Sequence, residues 1–493
     1  MGRKRRMNRR NFLKASASTS LAFSVVPRRV LGGPGRVAPS ERLNLACIGM
    51  GYQGLSMLPG LLRRSDVHVV AVCDPNTESN DYIGWGRGRD GAPGIRGGRE
   101  VGRRSVDEFY GQSKPSGTYK GCKAYADFRE LLEKESDIDA VHIVTPDHLH
   151  ATIAVAAMRK GKHAATHKPI SNVMYETRLA VDTARQTGLA THLHAWRESK
   201  DIYTIRAWIK QGAIGKVREV HRWLDKPIWP QGSPELPTDN PPIPEGFDWD
   251  LWLGPVPHRP YSPAYTHAVY RGWYDFGGGC LADMGNYGLW MDWRIMELGA
   301  PTSAEGCASF TCEVRGYRSG TVKNEVSFPH ASTIRFTFPG RRAAGDMLPC
   351  DVFWYDGGMR PRTPDELIAE NKQMPERGVM YVGDEGKIIA DLSNANPRVL
   401  PDARMREVTD SIELPDVEIV DTDDEWIRAF RGGKPSRGSF QNAQHVAEAI
   451  CLGNIAIRLN TRLEWDNRNM RITNIPSANQ YLRRDEYRKG WEL

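Results

Sequence analysis

Residues 44–54 read NLACIGMGYQG, an apolar run that feeds directly into Gly49-x-Gly51-x-x-Gly54 and then into the helix-like LSMLPGLLRR. Each glycine has a separate task. The first permits a tight turn, the second lets backbone approach a pyrophosphate, and the third lets the following helix pack on the strand. The amides of the first helical turn then point at the phosphates. Three glycines alone are a weak signal, so the next strand is the test. It reads VHVVAVCDPN and places Asp74 twenty residues after Gly54, where a carboxylate meets the ribose hydroxyls of a dinucleotide. Gly49, Met50, Gly51, Tyr52, Gln53, Gly54 and Asp74 are therefore the expected cofactor contacts. A carboxylate at Asp74 repels a 2′-phosphate and favours NAD. NADP stays open, because the arginine-rich segment that follows can supply a counter-charge.

That segment, YIGWGRGRDGAPGIRGGREVGRR, lies in an insertion over 80–120. It reads either as a solvated loop or as a lid over cofactor or substrate. The helix-like RSVDEFYG and DFRELLEKE and the strand-like DAVHIVTP resume the alternation, which predicts a Rossmann-type, doubly wound parallel sheet. Later strand-like runs, KVREVHRWL, TSAEGCASFTCEV and STIRFTF, predict a second, α+β domain. It is an open, mostly antiparallel sheet covered by helices on one face. At 493 residues the chain is too long for one typical domain. The reading is a leader and linker over 1–40, a dinucleotide domain over 41–170, and a substrate and oligomerisation domain over 171–493 whose last helices pack back on the first.

The leader, MGRKRRMNRRNFLKASASTSLAFSVVP, sets Arg9-Arg10 before Phe12, Leu13 and Lys14 and a short apolar run. This has the form of a twin-arginine signal and predicts export, to the periplasm or beyond. No later segment approaches the ~20 apolar residues of a membrane span. The formal charge of +7 is inflated by the leader, and no basic run is interleaved with aromatics, so a nucleic-acid partner is not expected. Eight cysteines without C-x-x-C spacing argue against structural zinc. Cys47 and Cys73 read as small core residues, while Cys307 and Cys312 can bridge in an oxidising compartment.

Three further stretches carry chemistry. A strand ends in Thr145-Pro146-Asp147-His148-Leu149-His150, and GKHAATHKPIS contains Lys168-Pro169. GGGCLADMGNYGLW, residues 277–290, sets Asp283 and Tyr287 four positions apart, on one helical face. Alone, that pair also fits a satisfied aspartate and a core tyrosine. In THLHAWRES, His192 and His194 alternate on one strand face, and without a third ligand they predict no metal. Trp223, Trp229, Trp249, Trp252, Tyr261, Tyr265, Trp273 and Tyr274 are numerous. Aromatic faces suit the C–H faces of sugars, though most such residues belong to cores.

The combination of the Thr145-Pro146 turn with His150 and Lys168-Pro169 resembles the Gfo/Idh/MocA family, named for glucose-fructose oxidoreductase, inositol dehydrogenase and rhizopine catabolism. The likeness extends through QGAIGKVREV at 211–220, DWDLWLGPVPHRPY at 248–261, and the closing DEWIRAFRGGKPSRGSF, HVAEAICLGNIAIRL, LEWD and YRKGW. An exported subgroup shares that tail and a twin-arginine signal. The resemblance implies that Thr145, Pro146 and His150 line the nicotinamide side and that Lys168 is the active-site lysine. It also implies that His194 and Arg197 meet substrate where the second domain begins, with Trp273 the aromatic chosen to join them. Two positions depart from the family pattern: His167 stands where glutamate is usual, and Tyr287 where histidine is usual. Glucose-fructose oxidoreductase also has tyrosine there.

Oxidising a sugar hydroxyl requires a base on its proton as hydride leaves the carbon. A phenol of pKa ~10 is a poor base, but a neighbouring ammonium favours the phenolate. Tyr287 is thus the expected acid/base, Lys168 the group that polarises substrate, and Asp283 the orienting carboxylate. His167 reads as a packing replacement for glutamate or as the base itself. The implied function is an exported oxidoreductase acting on a sugar or glycoside with tightly held NAD, since the twin-arginine route carries folded, loaded proteins. Alternatives are a redox-assisted glycosidase or lyase with no net redox change, and a non-catalytic sugar-binding protein with a structural nucleotide. Family members associate through the open sheet, so a homodimer or tetramer is expected.

Overall fold

A computed structural model describes residues 37–84, 94–225, 229–322, 324–340 and 349–493. The expected export signal and part of the Gly/Arg-rich segment lie outside the described residues. The chain divides into Met1–Arg42 and Leu43–Leu493. Among the described residues the first unit holds a short 3-10 turn, Pro39–Glu41; everything below concerns the second.

That unit opens with β1 (Leu43–Ile48), β2 (Val67–Cys73), β3 (Ser79–Tyr82), β4 (Ile95–Gly97), β5 (Lys123–Tyr125), β6 (Ala140–Ile143), β7 (His163–Thr166) and β8 (Thr191–Leu193). Six of these form a parallel sheet in the order β5-β2-β1-β6-β7-β8. β1 is apolar almost throughout because alternate residues serve two cores. Ala46 and Ile48 pack with Phe128, Leu131 and Ile153 on one face. Leu45 and Cys47 pack with Leu58, Val106 and the C-terminal Trp426 and Phe430 on the other. The boundary expected at residue 170 falls instead beyond Leu193. A parallel pair needs a crossover; helix Met174–Thr187 is that crossover, and β8 pairs with β7. β3 and β4 form a separate hairpin from the Gly/Arg-rich insertion.

The second sheet is built from β9 (Val217–Trp223), β10 (Ser303–Ala308), β13 (Ser332–Phe338), β14 (Cys350–Tyr355), β15 (Gly378–Gly383), β16 (Lys387–Ala390), β17 (Arg398–Leu400), β18 (Arg462–Asp466) and β19 (Arg471–Ile472). Its order is β17-β16-β15-β9-β14-β13-β10-β18-β19, antiparallel except for β9 beside β14. TSAEGCASFTCEV, expected as one strand, splits after Ala308. β11 (Thr311–Arg315) pairs with β12 (Arg318–Val322) as a projecting hairpin, since Glu313, Val314 and Arg315 bury nothing. Helix Phe440–Leu459 covers one face of the sheet, packing Val446 and Ile450 into the core of Phe336, Val352 and Trp354.

One buried network ties this sheet to the helix Asn286–Ile295. Arg222 of β9 donates from Nε and Nη2 to Asp292, each at 2.7 Å, and Nη2 also donates to Asn394 Oδ1. Tyr381 donates its hydroxyl to Asp292 at 2.6 Å. Arg222 and Asp292 are fully buried, so each charge depends on the other. Among the described residues no helix is long and apolar enough to cross a membrane. Cys47 and Cys73 are core residues as expected, while Cys307 and Cys312 are exposed and free.

Candidate active site

The C-terminal ends of the parallel strands open onto a cavity of ≈920 Å³, the edge at which ligands bind in open α/β sheets. Gly49 follows β1, Asp74 follows β2, Thr145 and Pro146 follow β6, Lys168 follows β7, and Arg197 lies beyond β8; all line the cavity. Asp283, Met284 and Tyr287 enter from the second domain. Asp283 sits in a π-turn, Leu281–Gly285, that runs into the helix Asn286–Ile295. Such turns concentrate at functional sites.

The glycine turn fits a dinucleotide. Gly49 has φ +97°, and a Cβ there would lie 2.3 Å from the Val144 carbonyl oxygen. A Cβ on Gly54 would lie 2.0 Å from the Gly49 oxygen, so the helix Tyr52–Leu62 can only start this close to the strand with glycine in place. No side chain caps that helix at Gly51, which leaves its first amides to a ligand's phosphates. Asp74 accepts from the Met50 amide at 2.7 Å and the Asn76 amide at 2.9 Å. These bonds fix the carboxylate at the cavity wall, while burial lifts its pKa above the ordinary range. Gly51, Tyr52 and Gln53 line the cavity with it. Met50 and Gly54 do not: Met50 turns its side chain under Gly102, and Gly54 is spent on packing.

Two elements close this end, one from the insertion that the sequence left open between a loop and a lid, the other from the C-terminal tail. The β3–β4 hairpin lays Tyr82 over Gly51, and the Tyr82 ring lies 3.9 Å from His267 between centroids. His267 also pairs with Asp81 at 3.4 Å. At the other side the C-terminal tail brings in Trp491, packed on Phe128 under the Arg129 guanidinium at 4.2 Å. The tail is anchored by Arg484 on Glu176 and by Arg488 on Asp250. Losing an aromatic wall of this size forfeits roughly 1.5–3 kcal/mol. Trp491→Ala should therefore weaken nucleotide affinity about 10- to 100-fold, measured as Kd by titration of the stripped protein with NAD.

At the far end Lys168 and Asp283 are in direct contact, both nearly inaccessible to solvent. Trp229 donates its indole N–H to Asp283 Oδ2. Arg271 lies 3.8 Å from Asp283 and 3.6 Å from the buried Asp147. Asp147 in turn accepts from Tyr270 and from the Gly278 amide. The Tyr287 ring has Lys168 Nζ at 5.1 Å and the Arg197 guanidinium at 4.6 Å from its centroid, and its hydroxyl lies 3.5 Å from His167 Nε2.

The electrostatics correct one expectation. Burial raises the Tyr287 phenol, and the lowering by Arg197 and Arg271 does not offset it. Tyr287 is a phenol here, not the phenolate foreseen beside Lys168. Burial, and then Arg271, pull the Lys168 ammonium well below the ordinary lysine range. His167 is held neutral by burial and by Lys168.

Three expected contacts are displaced. His150 is wholly buried, with Nδ1 2.6 Å from the Pro169 carbonyl and Nε2 2.8 Å from the Thr145 carbonyl. It braces both cavity-lining turns from behind. His194 packs against His142 and His192 under Trp426, because β8 lies in the first sheet rather than at the substrate entrance. Trp273 donates to the Ala264 carbonyl inside an aromatic cluster with Tyr265. The neighbour two residues earlier, Arg271, is the one that lines the cavity. Among the described residues no group of side chains is placed to hold a metal.

Residues 106–194 match the NAD-binding Rossmann-fold domain of the GFO_IDH_MocA oxidoreductase family, and residues 208–293 match the family's C-terminal alpha/beta domain, GFO_IDH_MocA_C2. A glycosyl hydrolase family 109 protein of Shewanella baltica (strain OS185) is 29% identical over 231 residues, covering 43% of this chain and 44% of the relative. One from Stenotrophomonas maltophilia (strain K279a) is 36% identical over 155 residues, covering 31% and 28%. The chain thus matches less than half the length of these curated relatives. Among solved structures, the WlbA dehydrogenase of Chromobacterium violaceum, in complex with NADH and UDP-GlcNAcA, superposes with a TM-score of 0.53 at 12% identity, covering 88% of this chain and 98% of that one. An NAD-binding protein from Listeria innocua gives 0.51 at 14%, covering 86% and 100%.

Proposed function

We propose, from its matches to both Gfo/Idh/MocA domain models, that the chain is an oxidoreductase of that family and oxidises a carbohydrate hydroxyl with tightly held NAD, using the Lys168–Asp283 pair as acid–base and Tyr287 as a hydrogen-bond donor. The observation that carries this reading is a single cavity lined both by the glycine turn and by Lys168, Asp283 and Tyr287. Bound NAD would supply the carbon that accepts hydride.

Lys168 as free amine takes the hydroxyl proton, and the lowering of its pKa by burial favours that form. Asp283 then holds the ammonium it touches. Tyr287, kept protonated by burial, donates to the reacting oxygen and orients it. A base must be unprotonated, so kcat/KM falls as pH drops through the lowered Lys168 value and is flat above it. Tyr287→Phe should lower kcat about 10- to 100-fold and leave that acid limb where it is. A variant that loses the limb altogether would make the tyrosine the base.

Export of the loaded protein, with NAD regenerated inside the catalytic cycle, belongs to the same reading and is supported by the leader sequence. Fusing residues 1–40 to a reporter tests it. Association through the open face of the second sheet, where the half-buried Phe353 stacks on His221 at 4.7 Å, belongs to the same reading and is tested by light scattering. A second reading, oxidation followed by glycosidic cleavage and return of hydride, is favoured by the names of the curated relatives. The deciding experiment incubates holoprotein with sugars and glycosides and analyses products. An oxidised sugar supports the first reading, and a cleaved glycoside without net NADH supports the second. No product from any member of the panel defeats both.

A further inference from the structure

Among the described residues, the reacting end of the cavity has one arginine with no carboxylate beside it. Asp283 contacts Lys168 and lies 3.8 Å from Arg271, and Asp147 lies 3.6 Å from Arg271 on the other side. Both carboxylates are thus taken up by Lys168 and Arg271. Arg197 is additional. Among the described residues no carboxylate pairs with it, and its guanidinium rests on the Tyr287 ring at 4.6 Å while lining the open side of the cavity. The cavity lining also includes Arg377, which lies 3.9 Å from Asp225. Asp391 also lines the cavity, where it accepts from the Asn396 amide.

Arg271 is buried, and its Nε has no hydrogen-bond partner. A guanidinium is a planar fork of donors with no acceptor, and its best partner is an oxyanion taken bidentately. A cation fixed at the wall of a cavity selects for such a group over a neutral hydroxyl. Because Arg197 stacks on Tyr287, whatever it binds lies within about one sugar ring of the oxygen that Lys168 and Tyr287 handle.

We propose that the substrate is an acidic carbohydrate whose oxyanion substituent, a carboxylate or a sulfate ester, is bound by Arg197 beside the Tyr287 ring. This assignment rests on the oxidoreductase reading for the reacting end, but recognition of the acid is separable from turnover. Specificity then lies in a residue that does not touch the reacting atoms.

The test uses holoprotein and a panel of methyl hexopyranosides, each carrying a primary hydroxyl, a carboxylate or a sulfate ester at the same position. Binding is read by calorimetry, and oxidation by reduction of the bound nucleotide. The expected result is that one acidic series binds roughly 100-fold more tightly than its neutral counterpart, with the carboxylate and sulfate arms identifying which oxyanion is meant. Arg197→Gln should erase the difference, Arg197→Lys should keep part of it, and added salt should shrink it. Equal binding of acidic and neutral sugars, no binding of any acidic sugar, or an acid preference that survives Arg197→Gln overturns the proposal. An acidic sugar that binds through Arg197 while no panel member reduces the nucleotide overturns the oxidoreductase reading instead.

Discussion

Lys168→Met lowers kcat/KM by about 10³- to 10⁴-fold, ~4–5.5 kcal/mol of transition-state stabilisation, and leaves the nucleotide bound. Methionine keeps the length of the side chain and its fit between His167 and Asp283 but removes the only group that both touches Asp283 and can exchange a proton there. Asp283 keeps the Trp229 indole and the nearby Arg271, so the carboxylate is not left bare and the fold survives. The checks are steady-state kinetics together with nucleotide content after gel filtration. Loss of both activity and nucleotide would show that Lys168 serves the cofactor's seat rather than the chemistry.

Asp292→Ala destabilises the protein by about 3–5 kcal/mol. It strands the fully buried Arg222 guanidinium, which spends two donors on that carboxylate, and it takes away the acceptor of Tyr381. A double variant, Arg222→Met with Asp292→Leu, should recover much of the loss, because two apolar groups replace a pair instead of orphaning one charge. Denaturant unfolding followed by tryptophan fluorescence measures both. Arg222 also donates to the Leu392 carbonyl, and Leu392 and Ser393 line the same cavity as Tyr287. The single variant should therefore raise KM even at temperatures where it remains folded. A single variant as stable as the parent would mean the network carries no net weight.

The first domain was legible because its rules are local. Strand, glycines, helix and acid follow one another within thirty residues, and Gly49 and Gly54 are required by the same close approaches that the spacing implies. The motifs around Lys168, Asp283 and Arg197 singled out residues that line the cavity. What escaped were contacts made by chain distant in sequence. Nothing near Trp491 says that the tail returns to Phe128, and nothing in RGWYDF tells Arg271 from Trp273 as the cavity residue. His194 was misplaced because alternation on a strand does not say which sheet the strand joins. The protonation of Tyr287 was misjudged for a related reason: sequence shows the neighbouring lysine but not the depth of burial, and burial is the larger effect. The π-turn at Asp283 was also invisible, since the spacing of four to Tyr287 fits an unbroken helix equally well.

The most direct test of the account is an experimental structure of the protein with NAD bound. The pyrophosphate should lie on the amides after Gly49, and the adenosine end should lie near Phe128 and Trp491. The hydride-accepting face of the nicotinamide should look onto Lys168 and the Tyr287 hydroxyl. A nicotinamide ring turned away from Lys168, or a nucleotide seated anywhere other than the glycine turn, would contradict it.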